Sequence, residues 1–339
     1  MQKLTERGVQ IALGILWLLD GALQLQHQMF TSSFANKVII PAASGQPLFV
    51  RGPMHLFIHV FLLHPAVFNT FTAVIQLGLG VLILHKRTIK LGLMGSVAWG
   101  LFVWYIGEGL GGLASWQTLL LVGAPGAALL YVILALAVMP KKDKPKNKQE
   151  DKHPAYWLAV VWAALWVGGA VYQLLPGQDS VSDVSSMISS MANGAPGWLA
   201  SLNNHIAQMI NGFGTPTTSM AGVHMTASQM ARMSTQAGSG YWFILLLATV
   251  QLCIGLGVFF AGRTRKIAIG LGILASVAFW IFGQALGRFF TGLATDPNSA
   301  PLFILLGIAI LGVSDLDANL ARLYKRTEIV LVGKQNLSR

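Results

Sequence analysis

Apolar residues run along this chain in long blocks rather than in alternation. Stretches at 8–28, 67–85, 91–113, 118–139, 156–175, 240–261 and 267–290, with a shorter one at 300–314, are nearly free of charge. A helix rises about 1.5 Å per residue and a hydrocarbon layer is about 30 Å thick, so blocks of this length predict membrane crossings. The pattern predicts an all-α integral membrane protein with eight transmembrane helices. Two outer segments, 30–66 and 176–238, break the blocks. Their amphipathic pieces, Phe49–His64 and Pro196–Phe213, are expected at the outer interface or capping the bundle.

The stretch Pro140–Pro154 (PKKDKPKNKQEDKHP) has no apolar residue and reads as a solvated linker. It divides the chain into a first four-helix repeat (1–139) and a second (156–314), with a cytoplasmic linker at 140–155 and a tail at 315–339. The two halves repeat each other. Gln76-Leu77-Gly78-Leu79-Gly80 aligns with Gln251-Leu252-Cys253-Ile254-Gly255, and Arg87-Thr88-Ile89-Lys90 with Arg263-Thr264-Arg265-Lys266. Trp104-Tyr105-Ile106-Gly107-Glu108 aligns with Trp280-Ile281-Phe282-Gly283-Gln284, and Trp17…Gln24 shares its spacing with Trp166…Gln173. An even number of spans in each half makes the repeats parallel, related by an axis along the membrane normal.

Charge then orients the chain. Lys and Arg number 23 against 12 Asp and Glu, a net charge of +11, while hydrophobic residues make up 54% of the chain. With the N-terminus in the cytoplasm, every Lys and Arg except Lys37, Arg51, Arg232 and Arg288 falls on the cytoplasmic side. This bias predicts a multi-pass plasma (inner) membrane protein with both termini cytoplasmic, and it explains the basic excess without nucleic acid. The N-terminal block reads as a first span rather than a removed signal peptide. A lone cysteine, Cys253, excludes an internal disulfide or a CxxC redox pair, so redox chemistry requires a bound cofactor or a partner.

Ionisable groups at membrane depth cost several kcal/mol and mark candidate sites. Asp20, Glu108 and Arg288 are such groups. Asp20, Gln24 and His27 fall on one helical face, suited to a proton or cation site or to anchoring a quinone headgroup; a polar seam between helices is the structural alternative. Glu108 sits among Gly107, Gly109, Gly111 and Gly112, which permit close backbone or ligand approach. Repeat logic sets Glu108 beside Gln284 and predicts a Glu108–Arg288 pair across the repeat interface. The roles expected are proton acceptor for Glu108, proton or hydrogen-bond relay for Asp20, and anion or charge partner for Arg288. Gln24, Gln76, Gln251 and Gln284 are candidates for holding a cofactor. His55 and His59 stand one turn apart, a spacing that suits a metal or haem. The outer loop of the second half adds Met187, Met191, Met209, Met220, Met225, Met230 and Met233 with His205 and His224, donors compatible with copper or with ordinary apolar packing. Asp296 or Ser299 is expected to cap the last helix, whose N-terminus could hold an anion. Gly123-Ala124-Pro125-Gly126-Ala127 is expected to kink or break the fourth helix.

The order in each half is one span, an outer amphipathic stretch, a hairpin carrying Q-L-x-x-G…R-T-x-K, and a fourth span. With Gly194-Ala195-Pro196-Gly197-Trp198-Leu199 and the run from Gln251 to Arg265, it resembles the DoxX/DoxD superfamily, in two tandem copies. The sequence departs from that family where Gln76 and Gln251 replace a common Glu. The resemblance implies a membrane redox component linked to quinone or a small sulfur compound, working with a respiratory or redox partner protein in the lipid bilayer. Two other readings stay open: a transporter or channel with its site between the repeats, and an outer-face copper or haem handling protein.

Overall fold

The computed structural model describes residues 3–140, 154–213 and 240–312, and among these the chain is helical with no strand. The charged linker, the cytoplasmic tail, Met220, Met225, Met230, Met233 and His224 lie outside the described residues.

Among the described residues the two halves run through matching main helices in the same order. In the first half these are α1 (Lys3–Leu23), a helical stretch α2 (32–43), α3 (Leu48–Leu63), α4 (Pro65–Leu84), α5 (Ile89–Phe102) and α6 (Ala127–Ala137). In the second they are α7 (Pro154–Gln173), α8 (Val181–Met191), α9 (Gly197–Gly212), α10 (Tyr241–Gly257), α11 (Arg263–Ala278) and α12 (Ser299–Leu311). Both α5 and α11 end in a single π turn, Val103–Gly107 and Phe279–Gly283, closed by Glu108 N–H to Val103 O (2.9 Å) and Gln284 N–H to Phe279 O (2.8 Å). Short 3-10 stretches follow, Leu110–Ser115 and Ala285–Thr291. Within each π turn a tryptophan reaches the next loop: Trp104 Nε1 donates to Pro125 O (2.8 Å) and Trp280 Nε1 to Pro297 O (2.9 Å).

Among the described residues, four helices are long and apolar enough to cross a membrane: Pro65–Leu84, Ile89–Gly107, Tyr156–Gln173 and Arg263–Thr291. Their outer faces carry large exposed apolar side chains, among them Phe71, Val74, Met94, Leu271 and Leu274, which suits contact with lipid rather than water. The eight continuous spans expected from the sequence are not all present as such. The block 118–139 is not one helix. Gly123 and Gly126 take positive φ around Pro125, and α6 begins only at Ala127. Its 11 residues cover about 16 Å, half a bilayer core. Similarly α12, with 13 residues, covers about 20 Å.

These two half-length helices lie at the centre of the molecule. Both are apolar on nearly every side and buried almost all round, as a helix without a polar face requires. One continuous core joins them to α1 and α7 through Leu13, Trp17, Leu130, Tyr131, Trp162, Trp166, Phe303 and Leu306. The expected amphipathic pieces are α3 and α9; α9 turns Leu199 and Ala207 inward.

Candidate functional site

The first half encloses a chamber of about 110 Å³ between α1, α4, α5 and α6. Aromatic side chains form much of its wall: Trp17, Phe34, Phe57, Trp99, Phe102 and Tyr131. Set into this wall are Asp20, Gln24, Gln76, Glu108 and, reaching over from the second half, Asp296. Beside it lies a wider vestibule of about 260 Å³ that both halves line, holding Thr118, Arg288 and Asn298. Glu108 and Asp296 belong to the walls of both spaces.

Each polar group is held there by local structure. Asp20 sits on the buried face of α1, 1% exposed, and its Oδ1 has no hydrogen-bond partner. Gln24 Oε1, Gln76 Oε1 and Trp99 Nε1 are likewise buried without a partner. Buried polar atoms are normally paired, so this set on one cavity makes it a candidate ligand site; Gln251 Oε1, the second-half counterpart of Gln76 Oε1, is buried without a partner as well. The Tyr131 hydroxyl lies close enough to Asp20 to interact with it but makes no hydrogen bond of good geometry.

Glu108 follows the π turn of α5 and reaches the start of α6. Its two carboxylate oxygens accept from Ala128 N–H at 3.1 and 3.3 Å. A carboxylate at a helix N-terminus satisfies a free amide and meets the positive end of the helix dipole. Two glycines make this approach possible. A side chain on Gly126 would collide with the Glu108 carboxylate, and one on Gly111 with the Pro125 carbonyl; both residues also take positive φ. The crowd of glycines around Glu108 thus serves close packing of backbone on backbone.

Asp296 stands in the loop before α12. Its Oδ1 accepts from Asn298 N–H (2.7 Å) and its Oδ2 from the Thr295 hydroxyl (2.6 Å). Burial raises its carboxyl above the ordinary value of 3.8, against the lowering effect of those two bonds. The expected cap of α12 is instead Asn298, whose side chain accepts from Ser299 N–H at 2.7 Å. Asp296 is the residue that sequence reading placed as a cap and the structure places in the chamber wall. The matching tryptophan bonds to Pro125 and Pro297 set Asp296 opposite Ala124, so the first half has no acid at this place.

The other expected residues separate. Arg288 lines the vestibule with its Nε buried and unpartnered, and no ion pair joins it to Glu108. Its backbone takes positive φ with Leu286 and Gly287, so the helix geometry that predicted the pair is absent there. His27 leaves the face of Asp20 and Gln24, because α1 ends at Leu23 and His27 begins an exposed 3-10 turn. His55 and His59 are exposed on α3, and among the described residues no group of three or more His, Cys, Asp or Glu is gathered as for a metal ion. His205 and Met209 are exposed, while Met187 and Met191 are half-buried.

Gln251 and Gln284 belong to the second half, where the equivalent space is filled. Gln284 Oε1 accepts from Ala300 N–H (3.2 Å), as Glu108 does from Ala128, and its Nε2 donates to Ser299 Oγ (3.2 Å) and Leu120 O (3.3 Å). Leu120, from the first half, occupies the space a side chain at Gly169 would need, and Leu121 does the same at Gly283. The exchange is mutual: Gln178 Nε2 donates to Trp116 O (2.6 Å) and Gln26 Nε2 to Ala294 O (3.2 Å), so each half's loop docks on the other half.

Comparison with known protein families, characterised proteins and solved structures finds no match.

Proposed function

We propose that the chain is a multi-pass membrane redox component of the DoxX/DoxD type that binds a quinol headgroup in the first-half chamber. The observation that carries this reading is the unpartnered set of acceptors, Asp20 Oδ1, Gln24 Oε1 and Gln76 Oε1, inside aromatic walls. Hydroquinone hydroxyls are donors and fit these acceptors, while Trp99 Nε1 and the Tyr131 hydroxyl can donate to an oxidised ring's carbonyls. When bound, a hydroquinone supplies two electrons and two protons. Asp20 and Glu108 are placed to accept hydrogen bonds and protons from it, and the aromatic walls orient its ring and exclude water. The two electrons require an oxidant, a one-electron redox centre carried by a partner protein, because a single cysteine, Cys253, cannot cycle as an internal dithiol.

In this reading the basic hairpins around Arg87 and Arg263 face the cytoplasm, the half-length α6 and α12 complete eight apolar elements in parallel repeats, and the vestibule opens at the outer face. Titration of the purified full chain with a short-chain quinol should quench its tryptophan fluorescence at Trp17 and Trp99, and Asp20→Asn should weaken that binding. No quenching at saturating quinol, and no quinol oxidation by folded protein with an added one-electron acceptor such as ferricyanide, would remove the proposal.

A second reading is favoured by the vestibule, which both halves line beside two half-length helices: a transporter whose substrate enters between the repeats. Proteoliposome uptake that vanishes in Glu108→Gln would support it over the first.

A further inference from the structure

The chamber and the vestibule are neighbours that share five wall residues: Val38, Glu108, Ala127, Thr295 and Asp296. Two of the five are carboxylic acids, and they are the only titratable groups in common. Asp20 and Tyr131 face the chamber alone; Arg288 faces the vestibule alone. The charges of Glu108 and Asp296 both act on Asp20. A group enclosed at Asp20 can exchange protons with water only through a chain of groups able to hold a proton, and the wall between the two spaces supplies that chain.

We propose that Glu108 and Asp296 form a two-carboxyl proton passage linking Asp20 in the chamber to the vestibule, with the second half of the chain contributing Asp296. It takes the proposed quinol chamber as its starting point and assigns the exit route for protons released there. The transfer is a relay without redox change. The Asp20 carboxyl gives its proton to the Glu108 carboxylate, Glu108 to the Asp296 carboxylate, and Asp296 to vestibule water. Each hop turns one carboxylic acid into a carboxylate and one carboxylate into an acid. Space of about 110 Å³ in the chamber and 260 Å³ in the vestibule holds bridging waters, each needing at least about 10–15 Å³. Glu108 and Asp296 are half-buried where Asp20 is fully buried, as groups between an enclosed acid and a wider space would be.

The second half shows that Glu108→Gln is compatible with the fold, since Gln284 makes the matching bond to Ala300. Asp296→Asn keeps an oxygen to accept from Asn298 N–H. The test follows hydrogen–deuterium exchange at Asp20 in the purified full chain by infrared spectroscopy after a switch to deuterated buffer, with no quinone present. The carboxylic C=O band that disappears in Asp20→Asn reports the site. Exchange should slow at least tenfold in Glu108→Gln and in Asp296→Asn, and recover in Asp296→Glu, while amide exchange stays unchanged. Wild-type rates in either variant, no recovery in Asp296→Glu, or no band sensitive to Asp20→Asn at any pH would overturn the passage. Because the readout needs no quinone, failure of the quinol proposal in the fluorescence titration is seen separately.

Discussion

The two halves share one scaffold and differ in what fills it. At matching positions the first half has Asp20, Glu108 and Tyr131, and the second has Gly169, Gln284 and Phe303. The loop acid Asp296 corresponds to Ala124 in the same way. Thus every titratable group around the first chamber has a non-titratable counterpart. The frame persists: Trp17 packs on Tyr131 with ring centroids 4.4 Å apart, and Trp166 on Phe303 at 5.7 Å. The first half's loop delivers Leu120 and Leu121 into the second half, whereas the second half's loop delivers Asp296 into the first. On the proposed function, the first half is the one that binds and the second braces it.

The largest effect should come from unplugging the second half. Leu120→Ala removes a buried side chain and should cost about 2–5 kcal/mol in thermal or denaturant unfolding, with binding in the first chamber retained. Equal loss of quinol binding would break the division of labour. Asp20→Asn comes next: replacing a carboxyl acceptor by an amide should weaken quinol binding roughly 5-fold, the equivalent of about 1 kcal/mol, measured by fluorescence titration. Changing Gly169→Ala should leave binding intact and lower stability instead, because Leu120 and Gln251 already occupy that space.

Much of this division can be read in the sequence, because repeats expose substitutions. Gln76 against Gln251, and Glu108 against Gln284, are visible by alignment, and the apolar blocks give the helical class. The broken fourth helix is legible from Gly123-Ala124-Pro125-Gly126, though its starting residue is not, since apolar residues continue through Leu119–Val122 as a loop that packs into the other half. The Glu108–Arg288 pairing fails because the span ends at the π turn in both halves: the backbone then turns through positive φ at Gly109–Gly112 and at Ala285–Arg288, so Arg288 is not on a continuing helix facing Glu108. The place of Asp296 is hidden because it depends on a loop crossing between halves, a contact without any local pattern.

A symmetric effect tests the shared scaffold. Trp104→Phe and Trp280→Phe each remove one indole bond to a proline carbonyl, at 2.8 and 2.9 Å. Each should cost about 1 kcal/mol, and the two losses should be alike in unfolding experiments. A large difference would show that the halves diverge in frame as well as in filling. Smallest is the pH signature of Asp296. Its carboxyl is raised by burial, so the folded chain binds more protons than the unfolded chain above the ordinary value of 3.8. Stability should therefore fall as pH rises from that value through the raised one, and the slope should flatten in Asp296→Asn. Thermal unfolding across acid to neutral pH measures it; a slope unchanged by the substitution would remove Asp296 from the balance.

The most direct measurement is a high-resolution map of the full chain with a brominated short-chain hydroquinone bound. The account predicts bromine density in the first chamber, beside Asp20, Gln24 and Gln76, with none against Gly169. Density at Gly169, or protein saturated with the compound and showing none beside Asp20, would contradict it.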